Sequence, residues 1–195
     1  SMNATSERAG DRPVVFITGA NGFIGRALGA YFAGHGFGVR GVDRSADVAR
    51  GVIAGDIVET GHWEAHLVGC AIVLHTAAVV SNAVPVAQQW QTNVLGTRRI
   101  IESASRAGVG RVVHLSSVRA YGDRGFPDNV EESWPLRPDG HAYVDTKVAA
   151  EAVAFQAHAA GEVPVTVIRP GDVYGPGSRP WTIIPVDETK KGRLI

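Results

Sequence analysis

Tyr143 and Lys147 stand four residues apart in a stretch of helical character, and Ser117 closes an apolar run upstream of them. A spacing of four puts phenol and ammonium on one face of a helix. A cation beside a phenol favours the phenolate and brings its pKa down from about 10, which would make Tyr143 a usable base near neutral pH. A hydroxyl such as that of Ser117 can steady charge developing on a substrate oxygen. The chemistry these types suggest is removal of a proton from an alcohol whose carbon gives up a hydride. Alone, the same residues read as an exposed helical pair and a strand-end serine. Their meaning depends on what positions them.

A glycine-rich turn, Gly19-Ala20-Asn21-Gly22-Phe23-Ile24-Gly25, follows a strand-like run ending at Thr18 and opens a helix-like one. Gly19 permits a tight turn, Gly22 lets the backbone approach a pyrophosphate, and Gly25 allows close helix–strand packing. The helix start then offers free N–H groups and a positive dipole end to phosphates. Asp43 ends the next strand, about 20 residues past the turn, where a carboxylate hydrogen-bonds an adenosine ribose. A 2′-phosphate would be repelled there, which favours NAD; Arg44 beside it keeps NADP open.

Six short apolar runs alternate with longer amphipathic ones. Strands are expected at Pro13–Thr18, Gly38–Val42, Val52–Ala54, Ala71–His75, Arg111–Ser116 and Val163–Arg169. Helices are expected at Phe23–Gly34, Glu59–Val68, Val86–Ala107 and Ala142–Ala159, several closed by glycine. Strands apolar on both faces and separated by helices specify an α/β protein with a doubly wound parallel sheet of Rossmann type. Residues 13–170 form this domain, behind a tag remnant and flexible tail at 1–12. Residues 171–195, crowded with proline and glycine, read as the loop-rich start of a substrate-binding lobe that is mostly absent from the chain.

The order of the glycine turn, Asp43, Gly55-Asp56-Ile57, His75-Thr76-Ala77-Ala78, Asn93-Val94-Leu95-Gly96-Thr97, Ser116-Ser117 and Tyr143-x-x-x-Lys147 resembles the extended short-chain dehydrogenase/reductases. More narrowly, it is similar to the NAD-dependent epimerase/dehydratase family, from about Val14 to Gly177. The resemblance implies that Tyr143 is the general acid/base, that Lys147 holds the nicotinamide ribose and lowers the tyrosine pKa, and that Ser117 binds the substrate oxygen. It implies adenine contacts from Asp56 and Ile57, a groove lined by Ala77 and Ala78, and a helix fixed behind Lys147 by Asn93. It extends cofactor contact to Asn21, Phe23, Ile24, Arg44, Pro170 and Val173. A homodimer built on the helices holding Asn93 and Tyr143 is also implied.

Two departures bear on substrate. Dehydratases of sugar nucleotides place Asp-Glu after the active-site hydroxyl residue, whereas Val118-Arg119 follow Ser117, which argues against 4,6-elimination. Asp172 stands where many sugar-nucleotide epimerases carry asparagine, and its carboxylate would repel a diphosphate. Arg119 reads either as an anchor for an anionic substrate or as a solvated arginine. The open alternatives are a dehydrogenase or reductase of the hydroxysteroid or small-alcohol kind, a sugar-nucleotide epimerase, and a non-catalytic NAD-binding module.

Lys and Arg number 19, as do Asp and Glu, and no basic block occurs, so the footprint of a nucleic-acid binder is missing. Apolar runs are strand-sized rather than membrane-spanning. One cysteine, Cys70, excludes an internal disulfide and points to a reducing, cytoplasmic setting. His62 and His66 share a helix face without a third ligand, so no metal site is expected.

Overall fold

The structure is a computed structural model that describes residues 12–81, 83–122 and 128–193. The tail expected over the first twelve residues lies outside the described residues except for Arg12. Six parallel strands make one sheet: β1 Val14–Thr18, β2 Gly38–Asp43, β3 Val52–Ala54, β4 Ile72–His75, β5 Arg111–Leu115 and β6 Val165–Ile168. Their order is β3-β2-β1-β4-β5-β6. That is the doubly wound order, with its reversal between β1 and β4, and a crevice opens there beyond the carboxyl ends of the strands.

Alternation along β1 sends Phe16 to one face of the sheet and Val15 and Ile17 to the other. Phe16 joins a cluster with Trp63, Leu67, Ile100, Ile101, Val112 and Ala154, under α3 Gly96–Arg106 and α4 Ala142–Ala159. Val15 and Ile17 join Leu74 and Val52 under α1 Phe23–Gly34, with Leu28 and Phe32 packed against them. In α3 the buried Thr97, Ile100, Ile101 and Ala104 follow the helical period. Arg98 faces outward, 2.9 Å from Glu102 and 2.9 Å from Glu162.

Three expectations change in detail. The run from Glu59 to Val68 forms only a tight 3₁₀ segment, His62–Leu67, which suffices to bury Trp63 and Leu67. The single helix expected from Val86 to Ala107 is α2 Val86–Trp90, a wide π turn at Gln91–Leu95, and then α3. Such wide turns gather at functional positions, and this one carries Asn93. The proline-rich end is not loop throughout: a π turn at Arg179–Ile183 runs into α5 Ile184–Lys190. Pro180 sits in the first turn of this run, where a missing N–H costs nothing. No helix among the described residues is long and apolar enough to cross a membrane.

Candidate active site

The glycine-rich turn folds as its spacing requires. Gly19 has φ +65°, and a Cβ there would lie 2.9 Å from the Ala77 backbone, so two strand ends meet without a side chain between them. A Cβ on Gly25 would stand 2.2 Å from the Gly19 carbonyl oxygen, so α1 can start against the turn only with glycine there. The Asp43 carboxylate reaches back to the same turn, accepting from the Asn21 N–H at 2.8 Å and from the Arg44 N–H at 2.7 Å. Its orientation is thereby set from the backbone.

Eight of the expected cofactor residues, Gly19, Gly22, Asp43, Arg44, Asp56, Ile57, Ala77 and Ala78, line one cleft of about 310 Å³. Val79 and Thr92 line it too, and both escaped the sequence reading. Other expected contacts lie outside that lining. The Asn21 side chain braces the turn instead, donating to the Ser45 carbonyl at 2.7 Å and accepting from Arg50. Phe23, at the start of α1, lies against the loop of Gly175 and Gly177; Ile24 is half-buried in the same first turn. The Pro170 carbonyl accepts from the Val118 N–H at 3.1 Å, and that of Val173 accepts from Ser178 Oγ at 2.8 Å.

Arg50 is a residue the sequence reading missed. It donates to the Ala20 carbonyl at 3.0 Å and pairs with Asp47 at 2.8 Å, clamping the turn from 30 residues away in sequence. Nothing local announces such a contact.

Beside the end of β5 and outside the lining of that cleft, α4 presents Tyr143 and Lys147, one helical turn apart. Ser117, extended just past β5, accepts from the Arg119 N–H at 3.1 Å and lies beside Tyr143, whose phenol it acts on. Lys147 is buried, its Nζ donating to the Leu115 carbonyl at 3.0 Å and standing 5.8 Å from the centre of the tyrosine ring. One turn further along, Glu151 is fully buried and gripped by Arg169 at 2.7 Å. Asn93 accepts from the Val79 N–H at 2.7 Å and donates to Thr146 Oγ1 at 3.0 Å, tying the cleft wall to α4.

The electrostatics correct one expectation. The Tyr143 phenol is pushed above its ordinary range by burial, which outweighs the opposing hydrogen bond from Ser117 and the charge of Arg119. Lys147 does not bring it down, because burial holds the ammonium itself at about 8 against the pull of Glu151, so its charge is gone before the phenol titrates. Cys70 is a packed, buried thiol raised by desolvation. Among the described residues no group of three or more His, Cys, Asp or Glu side chains could hold a metal ion.

Residues 15–187 match the model of the NAD dependent epimerase/dehydratase family. The chain belongs to that family. It is 32% identical over 168 residues to a 4-hydroxy-2-methyl-3-oxo-4-farnesyl-3,4-dihydroquinoline-1-oxide ketoreductase of Stigmatella aurantiaca, covering 82% of this chain and 50% of that protein. It is 30% identical over 141 residues to a dTDP-glucose 4,6-dehydratase of Streptomyces niveus, covering 70% of this chain and 41% of that one. Among solved structures it matches MoeE5 in complex with UDP-glucuronic acid and NAD, with TM-score 0.80 and 34% identity over 93% of this chain and 62% of that one. The chain spans about half the length of the curated relatives it matches.

Proposed function

We propose that this chain carries the NAD-binding and proton-transfer parts of an oxidoreductase of the epimerase/dehydratase type, acting at a secondary alcohol carbon or the matching ketone. The observation that carries the reading is that Tyr143 and the buried Lys147, one helical turn apart on α4, meet the end of β5 that Ser117 follows, with the cofactor cleft along the same sheet edge. The cleft suits a dinucleotide: α1 starts at the glycine turn with no side-chain cap over its first N–H groups, and Asp43 is fixed by two backbone donors for a ribose. Asp56 and Ile57 would flank the adenine, and Ala77 and Ala78 would form the floor. NAD supplies the hydride acceptor or donor.

In this scheme Ser117 Oγ holds the substrate oxygen and Tyr143 Oη takes its proton, or returns it in the reverse direction. Burial keeps the phenol protonated in the resting site, which readies Tyr143 to donate to a ketone oxygen as hydride arrives. For alcohol oxidation the phenol must first release its own proton to solvent, and Ser117 and Arg119 favour the phenolate that then takes the substrate proton. Asp43 leaves NAD preferred over NADP, with Arg44 as the residue through which NADP could bind.

Relatives include reductases, a dehydratase and a 3β-hydroxysteroid dehydrogenase/isomerase of Mycobacterium tuberculosis, the last 27% identical over 85% of this chain. The match to a dTDP-glucose dehydratase leaves elimination open at family level. Locally the groups for elimination are missing: Val118 has no proton to give or take, and Arg119 is not a carboxylate. We favour ketone reduction or alcohol oxidation, with epimerisation of a sugar nucleotide second and a hydroxysteroid-type substrate within the first class. Residues 171–193 would begin the substrate-covering lobe. Val86, Trp90, Leu95 and Phe155 are exposed apolar residues on or beside α2, α3 and α4, and support a homodimer through these helices. Sedimentation would test that assembly.

The decisive assay follows absorbance at 340 nm with NAD or NADH and a panel of sugar nucleotides, steroids and simple alcohols or ketones. Tyr143→Phe should lower turnover by at least about 100-fold while NADH affinity stays intact. Equal turnover in both proteins would remove Tyr143 from the mechanism and leave a cofactor-binding module.

A further inference from the structure

His75 belongs to the buried polar groups that the proton-transfer scheme leaves unused. It ends β4 directly beside Thr18 of β1, at the point where strand order reverses. Its Nδ1 lies 2.7 Å from Thr18 Oγ1 and its Nε2 lies 2.8 Å from Thr97 Oγ1. Thr18, His75, Thr97, Asn93 and Thr146 are all buried.

The hydrogens along this chain can be placed by elimination. Thr97 Oγ1 sits 2.7 Å from the Asn93 carbonyl, which has no hydrogen to offer, so the threonine proton points there. Thr97 must then accept from His75, and Nε2 carries the ring proton. A neutral ring leaves Nδ1 bare, so it accepts from the Thr18 hydroxyl. Thr18 Oγ1 in turn accepts from the Ala77 N–H at 3.1 Å, on the floor of the cleft. At the far end, Asn93 grips both polar groups of the Val79 backbone and donates to Thr146, whose hydroxyl bonds the Tyr143 carbonyl at 2.9 Å. Two directed runs of hydrogen bonds, meeting at Asn93 through its backbone carbonyl and its side-chain amide, link the cofactor cleft to the helix that bears Tyr143.

We propose that His75, held as the Nε2–H tautomer between Thr18 and Thr97, is a positioning residue that fixes the cleft floor at Ala77–Val79 relative to α2–α3 and the Tyr143 helix. The inference rests on the cofactor reading of the cleft. An apolar residue would fill the space, but it would leave the Thr18 proton and the Thr97 oxygen unpaired in the core, and the two strand ends free to shift. Burial and the nearby Lys147 ammonium hold the ring far down, at about 3, so it stays neutral through the physiological range. The His114 ring, 5.4 Å away, makes no hydrogen bond to either run.

The test pairs Thr97→Val, which keeps the shape and removes both hydrogen bonds, with Thr97→Ser, which keeps the hydroxyl. NADH binding is read by fluorescence titration, and the ring of His75 by histidine-labelled nitrogen NMR. Wild type should show a neutral ring protonated at Nε2. Thr97→Val should bind NADH about tenfold more weakly and lose that ring signature, while unfolding stays cooperative; Thr97→Ser should restore both. Should Thr97→Val not fold, Thr18→Val against Thr18→Ser gives the same comparison from the other side of the ring. Undiminished NADH affinity in the valine variant, or a wild-type ring protonated at Nδ1, overturns the positioning role alone. Wild-type protein that fails to bind NADH overturns the cofactor reading together with it.

Discussion

Lys147 shows how far a residue's chemistry depends on where the fold puts it. Its four-residue offset from Tyr143 is a fact of sequence; the loss of water around its ammonium is not. Burial lowers its pKa from 10.5 to about 8. Between those values the unfolded chain holds a proton that the folded protein has released, so stability rises with pH across that window. Below about 8 the cost of the buried cation is present in full. Lys147→Met lacks the group, so its stability advantage over wild type should be greatest at pH 7 and shrink by on the order of 2 kcal/mol by pH 10. Urea unfolding at the two pH values measures this, and a gap that ignores pH would refute it. Asp43 offers a second residue-level outcome. With its carboxylate aimed from the Asn21 and Arg44 amides, Asp43→Ala should lower the NADH-to-NADPH affinity ratio about tenfold, measured by titration with each; an unchanged ratio would dismiss its ribose role.

At the scale of elements, α1 carries a clean internal control. Gly25 and Gly29 lie one turn apart, yet a Cβ at Gly25 would collide with the Gly19 carbonyl at 2.2 Å, while one at Gly29 would only touch Ile17 at 3.8 Å and Val39 at 3.9 Å. Gly25→Ala should therefore cost about 1–3 kcal/mol in urea unfolding and weaken NADH binding, because helix and turn must part. Gly29→Ala should be neutral or stabilising by up to about 1 kcal/mol, since alanine restricts the unfolded chain and favours helix. Reversal of that order would mean that α1 does not start where the turn puts it. The boundaries of α1 and α4 were legible in the sequence, because amphipathic period and glycine stops both act locally. The wide turn at Gln91–Leu95 was not, since its cause is tertiary: Asn93 must reach Val79 and Thr146 together.

For the whole molecule, the Glu151–Arg169 pair joins four parts that are distant in sequence. Arg169, just past β6, holds Glu151 of α4 with both oxygens, bonds the Tyr121 hydroxyl at 2.6 Å and reaches the Glu132 carbonyl at 3.1 Å. Glu151 is fully buried, so its charge has no water to fall back on. Glu151→Gln strands the guanidinium and should cost about 3–5 kcal/mol, read as a lower urea midpoint with an unchanged slope. A loss under about 1 kcal/mol would show that the pair is solvated in solution. The same pair stands behind Lys147 and supplies the opposing charge that keeps its pKa from falling further.

Taken alone, the sequence determined the parallel α/β sheet, the glycine turn with its carboxylate partner, and the helical face shared by Tyr143 and Lys147. Each of these is written in short-range period, spacing or backbone permissiveness. Tertiary structure decided the rest: that Arg50 clamps the turn, that His75 meets two threonines, and that burial raises the phenol which the neighbouring cation was expected to lower. These outcomes depend on which strand ends become neighbours and on how much water the packing removes, quantities to which no stretch of a few residues has access.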